Sequence, residues 1–510
     1  YSMRMNLDGK YKRLKFGLNF SPSYSTSNRV DASGSNGIVQ SALMMPPVWP
    51  VYNSDGSYNY QGNGYWRIGN DYQHNAVLNP VAMANLQSDV VDRMAIVGKV
   101  FAELELFKGL TYNISFGGDY YGSHNDQYRS SELPLLGQKY YDIKSNPTAY
   151  SSSGFYFNWL IENKINYNTV INEDHSINAV LVQSAQKETY KGDNVTATDF
   201  PNDYIQTISG GTVIKGASDK TQWSIASYLA RVQYSYKGKY MASGAIRADG
   251  SSRFGKNNRW GYFPSVSAGW TISNEPFLKD ALENIATVRI RASWGKSGNN
   301  DIGNYSSIAG ISTGSYAFGT TAVSTSRLGG FADSELGWET TTQTNIGLDL
   351  GFFNSRLNVI ANYYNSISTD ILYNAPISAI SGFTSSTTNM TDAKIRNRGF
   401  DLQVDARLLT GKVKWNVSTN ISINRNKVVS LGGLDDILST SERSVQSHIT
   451  KEGYPIGSFY GYKAVGIMSE LDYKNALKDR EVYLANGSKF PAGYTLQGPA
   501  VPSYALDDLS

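Results

Sequence analysis

The chain of 510 residues contains no cysteine. That absence excludes a disulfide framework, zinc–thiolate sites and a cysteine nucleophile. It also lacks any apolar run of about eighteen residues, so no transmembrane helix is expected. A membrane barrel stays open, because its signal is weak alternation rather than a hydrophobic block. No excess of one charge is present either. Lys plus Arg number 46 against 43 Asp plus Glu, so bulk charge points to neither nucleic acid nor an acidic substrate. Histidine is scarce. His74, His124, His175 and His448 are scattered, with no HExxH and no i, i+4 pair, so no metal site is expected. No GxSxG elbow, Walker A loop or dinucleotide fingerprint occurs. The glycines of ISGGTVIKG at 208–216 lack the spacing and the βαβ context. No cofactor and no catalytic constellation are therefore expected. The opening YSMRMNLDGKYKRL has no basic segment followed by an apolar one, so no signal peptide is visible. The end at ALDDLS carries no terminating motif, and the chain reads as part of a longer protein.

Glycine (48) and tyrosine (36) are abundant, and the dominant pattern has a period of two. In LTYNISFG, Leu110, Tyr112, Ile114 and Phe116 alternate with Thr111, Asn113, Ser115 and Gly117. In KWNVSTNISIN, Trp415, Val417, Thr419, Ile421 and Ile423 alternate with polar residues. Successive strand side chains point to opposite faces, so each such segment has one apolar and one polar side. Fourteen strands are predicted: 1–9, 13–25, 94–106, 110–121, 156–168, 176–186, 222–236, 240–249, 260–272, 287–297, 338–350, 357–371, 396–408 and 413–425. Short turns near 9–12, 107–109, 169–174, 237–239, 353–356 and 410–412 alternate with long polar loops, among them 26–92, 122–155, 186–221, 298–337 and 372–395. The expected fold is all-β: a transmembrane antiparallel barrel with short periplasmic turns and long extracellular loops. Sandwiches and propellers also alternate. The consecutive hairpins with such loop asymmetry argue against the first, and the lack of a 40–50-residue repeat against the second. Two helices are predicted, over 274–285 with Asn274 as N-cap, and over 469–485 behind Ser469.

Polar rows mark the predicted wet side of the strands. They comprise Arg247 and Asp249, Arg289 and Arg291, and Asp401, Asp405 and Arg407. A hydrated lumen tolerates such charges, and opposite signs can brace neighbouring strands. The basic stretch RADGSSRFGKNNRWGYFPSVSAGW (247–270) contains these first two residues. It is not a nucleic-acid grip, because nothing else builds a basic surface around it. No helix follows its glycines, so it is not a phosphate loop. It is expected to brace a strand pair near the barrel mouth.

Several blocks carry a family likeness: RADGSSRFGKNNRWGYFPSVSAGWTISNEPFL (247–278), VRIRASWGKSGN (288–299), LGWETTTQTNIGLDLGFFNSRLNVIANYYNSISTDIL (336–372), AKIRNRGFDLQVDA (393–406) and KEGYPIGSFYGYKAVGI (451–467). In these blocks the chain resembles the SusC/RagA-type TonB-dependent transporters of Bacteroidetes outer membranes. The resemblance implies a barrel of twenty-two strands around an N-terminal plug. This chain would supply about fourteen or fifteen of those strands, without the plug, the TonB box or the terminal strands. It further implies a SusD-like surface lipoprotein as a lid, energy from the TonB–ExbB–ExbD complex, and assembly as a dimer of such pairs. The surroundings would be the lipid bilayer and lipopolysaccharide, and the cargo an oligosaccharide or oligopeptide. A passive porin or a surface adhesin with a similar barrel is the alternative. For cargo contact, the loop at 52–74 offers Tyr58, Tyr60, Tyr65, Trp66, Arg67 and Asp71.

Overall fold

A computed structural model gives the fold. It describes the chain except residues 31–36, 61–65, 69–70, 74–76, 135–145, 279–284, 320, 441–445, 462, 464–468, 487–489, 492–493 and 498–510. The alternating segments become one antiparallel sheet of fourteen strands, each hydrogen-bonded to its neighbour in sequence order. They are β1 (Met5–Tyr11), β2 (Leu14–Asn28), β3 (Gln87–Phe107), β4 (Leu110–Arg129), β5 (Thr148–Ile171), β6 (His175–Thr198), β7 (Thr212–Tyr236), β8 (Tyr240–Ser251), β9 (Trp260–Thr271), β10 (Ile285–Asn299), β11 (Glu339–Phe352), β12 (Leu357–Thr369), β13 (Ala393–Thr410) and β14 (Lys414–Leu431). Strand order and the sites of the short turns agree with the alternation.

Strand length does not agree. The predicted loops at 122–155 and 186–221 are invaded by strand from both sides: β4 runs on to Arg129, β5 begins at Thr148, β6 reaches Thr198 and β7 begins at Thr212. The reason is chemical. These extensions are rich in polar residues on both faces, so they carry little alternation to read, yet their backbone pairing continues, with one irregularity between Thr196 and Ala197. Of the helix predicted over 274–285, residues 279–284 lie outside the described residues; the rest is not helix, since Asn274 ends a 3-10 turn (Ile272–Asn274), 275–278 are bend and turn, and Ile285 opens β10.

Directly opposed residues share a face, so the register sorts the side chains of the whole sheet. One face carries Phe16, Val100, Leu181, Val266, Ile346 and Ile421, each at least half exposed (50–55%). In water so much open apolar surface would associate, whereas hydrocarbon covers it without penalty. The opposite face of β14 reads Asn416, Ser418, Asn420, Ser422, Asn424 and Asn426. β1 and β14 end the sheet without pairing to one another, and such edges in lipid require a further strand.

Little of the buried apolar core lies in the sheet faces. One cluster joins Leu78, Ala82, Met83 and Leu133 beneath the long loop after β2. It is organised by α1 (Ile38–Met44) and α2 (Pro80–Asn85). Asn79, 2% exposed, caps α2 through Oδ1, which accepts from the amides of Val81 and Ala82. Its Nδ2 donates to the carbonyls of Val51 and Asn59. Pro80 follows at the first helical position, where its missing N–H costs nothing.

Residues 436–450 and 456–510 form a second compact unit. It holds a small three-stranded sheet and α3 (Glu470–Ala485), the helix predicted at 469–485. Ser469 and Asp472 make a reciprocal capping box. Buried Asp479 accepts from Tyr494 Oη at 2.7 Å and from the Gln497 amide.

Candidate functional site

All seven charged residues singled out on the strands fall on one face. The register passes from Arg247 and Asp249 on β8 through β9 to Arg289 and Arg291 on β10. From there it runs through β11 and β12 to Asp401, Asp405 and Arg407 on β13. This is the polar face. Arg247 Nε grips both carboxylate oxygens of Asp249 at 2.9 and 2.7 Å, and its Nη2 reaches Ser227 Oγ at 3.1 Å. Arg291 makes a forked pair with Asp349, with contacts from 2.6 to 3.1 Å, and also holds Asn362 Oδ1. Arg289 donates to Thr271 Oγ1 at 3.2 Å, and Asp405 accepts from Ser418 and Gln403. Forked guanidinium–carboxylate pairs fix geometry as well as charge. These side chains therefore tie β7 to β8 and β10 to β12 across a wet surface. Asp349, the partner of Arg291, escaped the sequence reading; only the register reveals it.

The basic stretch of 247–270 is a docked connection. Phe254 is 1% exposed, with its ring 5.0 Å from that of Trp338. The Gly255 amide donates to the Leu336 carbonyl, and Trp338 Nε1 to the Arg259 carbonyl at 2.8 Å. Arg253 lies over the Trp223 ring and donates to Asn304 Oδ1 and the Asn300 carbonyl. The loop after β8 is thus fastened to the segments before β11, and its arginines serve that fastening.

In the loop at 52–74, the Tyr58 and Tyr60 rings pack against the Leu78–Met83–Leu133 cluster. Tyr58 Oη accepts from Asn85 Nδ2 at 3.0 Å. Burial pushes the Tyr60 hydroxyl well above the usual tyrosine range, and it has no hydrogen-bond partner among the described residues. Tyr65 lies outside the described residues. Trp66 and Arg67 stand on one strand (Trp66–Ile68) and Asp71 on the other (Asp71–Gln73) of a small hairpin, paired Trp66 to Gln73 and Ile68 to Asp71; their side chains lie outside the described structure.

Two carboxylates beyond the strands, buried Glu275 and half-buried Asp203, organise the ends of the sheet, and neither was singled out in the sequence. At the short-turn end, Glu275 accepts from Tyr240 Oη at 2.6 Å, Trp270 Nε1 at 3.1 Å and Lys239 Nζ at 3.3 Å. The hydrogen bonds from Tyr240 and Trp270 hold its carboxyl below the usual range. At the long-loop end, Asp203 accepts from Tyr128 Oη at 2.7 Å and from both the amide and the hydroxyl of Ser131. Burial would raise its carboxyl, but these hydrogen bonds outweigh that and lower it. Among the described residues, no three His, Asp or Glu side chains gather as metal ligands.

Comparison with known proteins matches this architecture. Residues 4–510 match the family described as TonB dependent receptor-like, beta-barrel. TonB-dependent receptor P39 of Formosa agariphila is 32% identical over 83% of this chain and 40% of its own length. TonB-dependent receptor SusC of Bacteroides thetaiotaomicron is 28% identical over 95% of the chain and 50% of its own length. The structure of the RagAB peptide transporter superposes with a TM-score of 0.77 at 23% identity, over 93% of this chain and 51% of that one. The chain thus spans roughly half the length of these relatives. The alternating strands, the open apolar face and the matched sequence blocks agree: this chain belongs to the TonB-dependent receptor β-barrel family, in the SusC/RagA type, and is an outer-membrane protein.

Proposed function

We propose that this chain is wall of an active importer for oligosaccharides or oligopeptides, working with a SusD-like surface lipoprotein and energised by TonB–ExbB–ExbD. The polar face lines the lumen, and the apolar face meets lipid. The observation that carries the reading is the braced polar face itself. Seven charged positions on one side of a membrane-spanning sheet are a liability unless water fills that side, as a hydrated import path would. The Arg247–Asp249 and Arg291–Asp349 pairs brace that wall. The hairpin bearing Trp66, Arg67 and Asp71 belongs to the long loop between β2 and β3, on the side where cargo and lid would meet. Dimers of transporter–lid pairs would follow from the family pattern.

The test uses the full-length protein with its lid lipoprotein. Binding and cellular uptake are measured with defined oligosaccharides and oligopeptides, with and without TonB. TonB-dependent uptake of one class is expected. Uptake indifferent to TonB would make the barrel a passive pore, and no binding together with normal growth after deletion would remove the importer reading.

A further inference from the structure

The apolar face of β13 and β14 changes character along its length. Toward the short turns it pairs Leu402 with Ile421 and Phe400 with Ile423. The next two pairs on that face are Arg398 with Arg425 and Arg396 with Lys427. Like charges directly opposite one another destabilise a sheet, yet two such pairs follow in succession. Arg398, Arg425 and Lys427 are exposed, and Arg396 is half-buried. Among the described residues, none of the four has an ion pair or a side-chain hydrogen bond. No carboxylate shares this face of β11 to β14, because Glu339, Asp349, Asp401 and Asp405 all stand on the polar face. Of the acids in adjoining segments, Asp370 accepts from Thr369 Oγ1 and Glu452 from the Leu431 amide, while Asp392 belongs to the turn before β13.

The depth of the quartet follows from strand geometry. Trp415, 55% exposed, opens the apolar face of β14 beside the short turn. Arg425 stands ten residues farther along the strand. That is about 33 Å of chain, or about 25 Å of depth at the tilt of a membrane barrel, which matches the height of its apolar band. The quartet lies toward the long loops, so it sits where the hydrocarbon of the outer leaflet gives way to headgroups.

We propose that Arg396, Arg398, Arg425 and Lys427 bind the phosphate groups of a lipid in the outer leaflet. A guanidinium meets phosphate oxygens with a fork of N–H donors. A phosphate set between opposed cations replaces their repulsion with attraction. Asn365 on β12, opposite Arg398 on the same face, adds an amide donor. The occupant is a lipid because the cations are continuous with the lipid-covered surface: acyl chains would lie over Phe400, Ile421 and Ile423 just below the bound headgroup. The site faces away from the lumen and stands whether or not the protein imports.

The experiment uses the full-length protein purified with its lid lipoprotein in a neutral detergent. Native mass spectrometry measures its retention of diphosphoryl lipid A and of an uncharged galactolipid, and competition by inorganic phosphate at matched ionic strength. The wild type should retain diphosphoryl lipid A in preference to the galactolipid, and less of it as salt rises. Arg398→Gln with Arg425→Gln should weaken that retention about thirtyfold, two headgroup-facing cations being lost. Arg398→Lys with Arg425→Lys, which keeps the charge, should preserve most of it. Lys12→Gln with Lys108→Gln removes the same charge at the short turns and should change nothing. Equal retention of both lipids, equal loss in the two glutamine pairs, or displacement of the lipid by inorganic phosphate would overturn the proposal. Unchanged lipid retention with loss of the lid lipoprotein from the Arg398→Gln, Arg425→Gln protein would give the patch to a protein partner and overturn it as well.

Discussion

The two ends of the sheet use the same device for different purposes. At the short-turn end, Glu275 gathers Lys239, Tyr240 and Trp270, all from one turn and the adjoining hairpin. Tyr236, Tyr240 and Trp270 stack in sequence beside it, with ring planes within 16°, an arrangement fitted to the membrane interface. At the long-loop end, Asp203 joins residues more than seventy positions away, Tyr128 and Ser131. Phe254 and Gly255 likewise meet Leu336 and Trp338 across some eighty residues of chain. One end is assembled from local sequence, while the other is stitched from distant segments. The stitched end should therefore be the one that single substitutions disturb most.

The largest expected effect is Phe254→Ala. Its ring is nearly inaccessible and packs on Trp338, so its removal should cost about 3–5 kcal/mol at the long-loop end. Hydrogen exchange on the full-length protein should show the loss in the 253–259 and 333–338 segments and leave 237–240 protected. Equal loss at both ends would mean that they unfold as one cooperative unit, and the comparison would fail.

Asp203→Asn comes next. It keeps the size but weakens the acceptance from Tyr128 and Ser131, at a cost of about 1–3 kcal/mol. The sign of the pH dependence follows from the depressed carboxyl. Its stabilisation is present above the ordinary carboxylate range and fades as pH falls through the lowered folded value. Exchange protection of residues 128–131 should therefore decline in acid in the wild type, and the variant should lose that component of the decline. Glu275 carries the same sign, also depressed. Glu275→Gln should shift Trp270 fluorescence and blunt the acid response at the short-turn end, with little change in the distant loops. A loop response as large as that of Asp203→Asn would contradict the local character of this end.

The same local-versus-distant contrast decides what the sequence could reveal. Alternation is local, so strand order, the short turns and the common face of Arg247, Arg289 and Asp401 could be read directly. Ser469 announced α3 through a cap three residues from its partner Asp472. What alternation cannot supply is register, because a shift by two residues preserves every face. The Arg291–Asp349 fork and the Asp203 tie depend on register or on loop docking. The extended ends of β4 to β7 were hidden for a related reason: beyond the lipid both faces are wetted, and polarity no longer alternates.

Two glycines give the smallest and sharpest test. Gly238 sits in the turn between β7 and β8 at φ +64°, and nothing lies within 4 Å of the position a Cβ would take. Gly255 has no such φ, but a Cβ there would run into the Ser334 carbonyl. Gly238→Ala should cost only the left-handed backbone penalty, about 1 kcal/mol, and should leave the long-loop end untouched. Gly255→Ala should cost more, because a backbone from a distant segment must move to admit one methyl group. The ratio of the two, measured as shifts in denaturant midpoint, separates a glycine required by its own turn from one required by a neighbour. If Gly238→Ala proved the more damaging, the short-turn end would hold constraints beyond its own backbone, and the division between a locally built end and a stitched one would have to be abandoned.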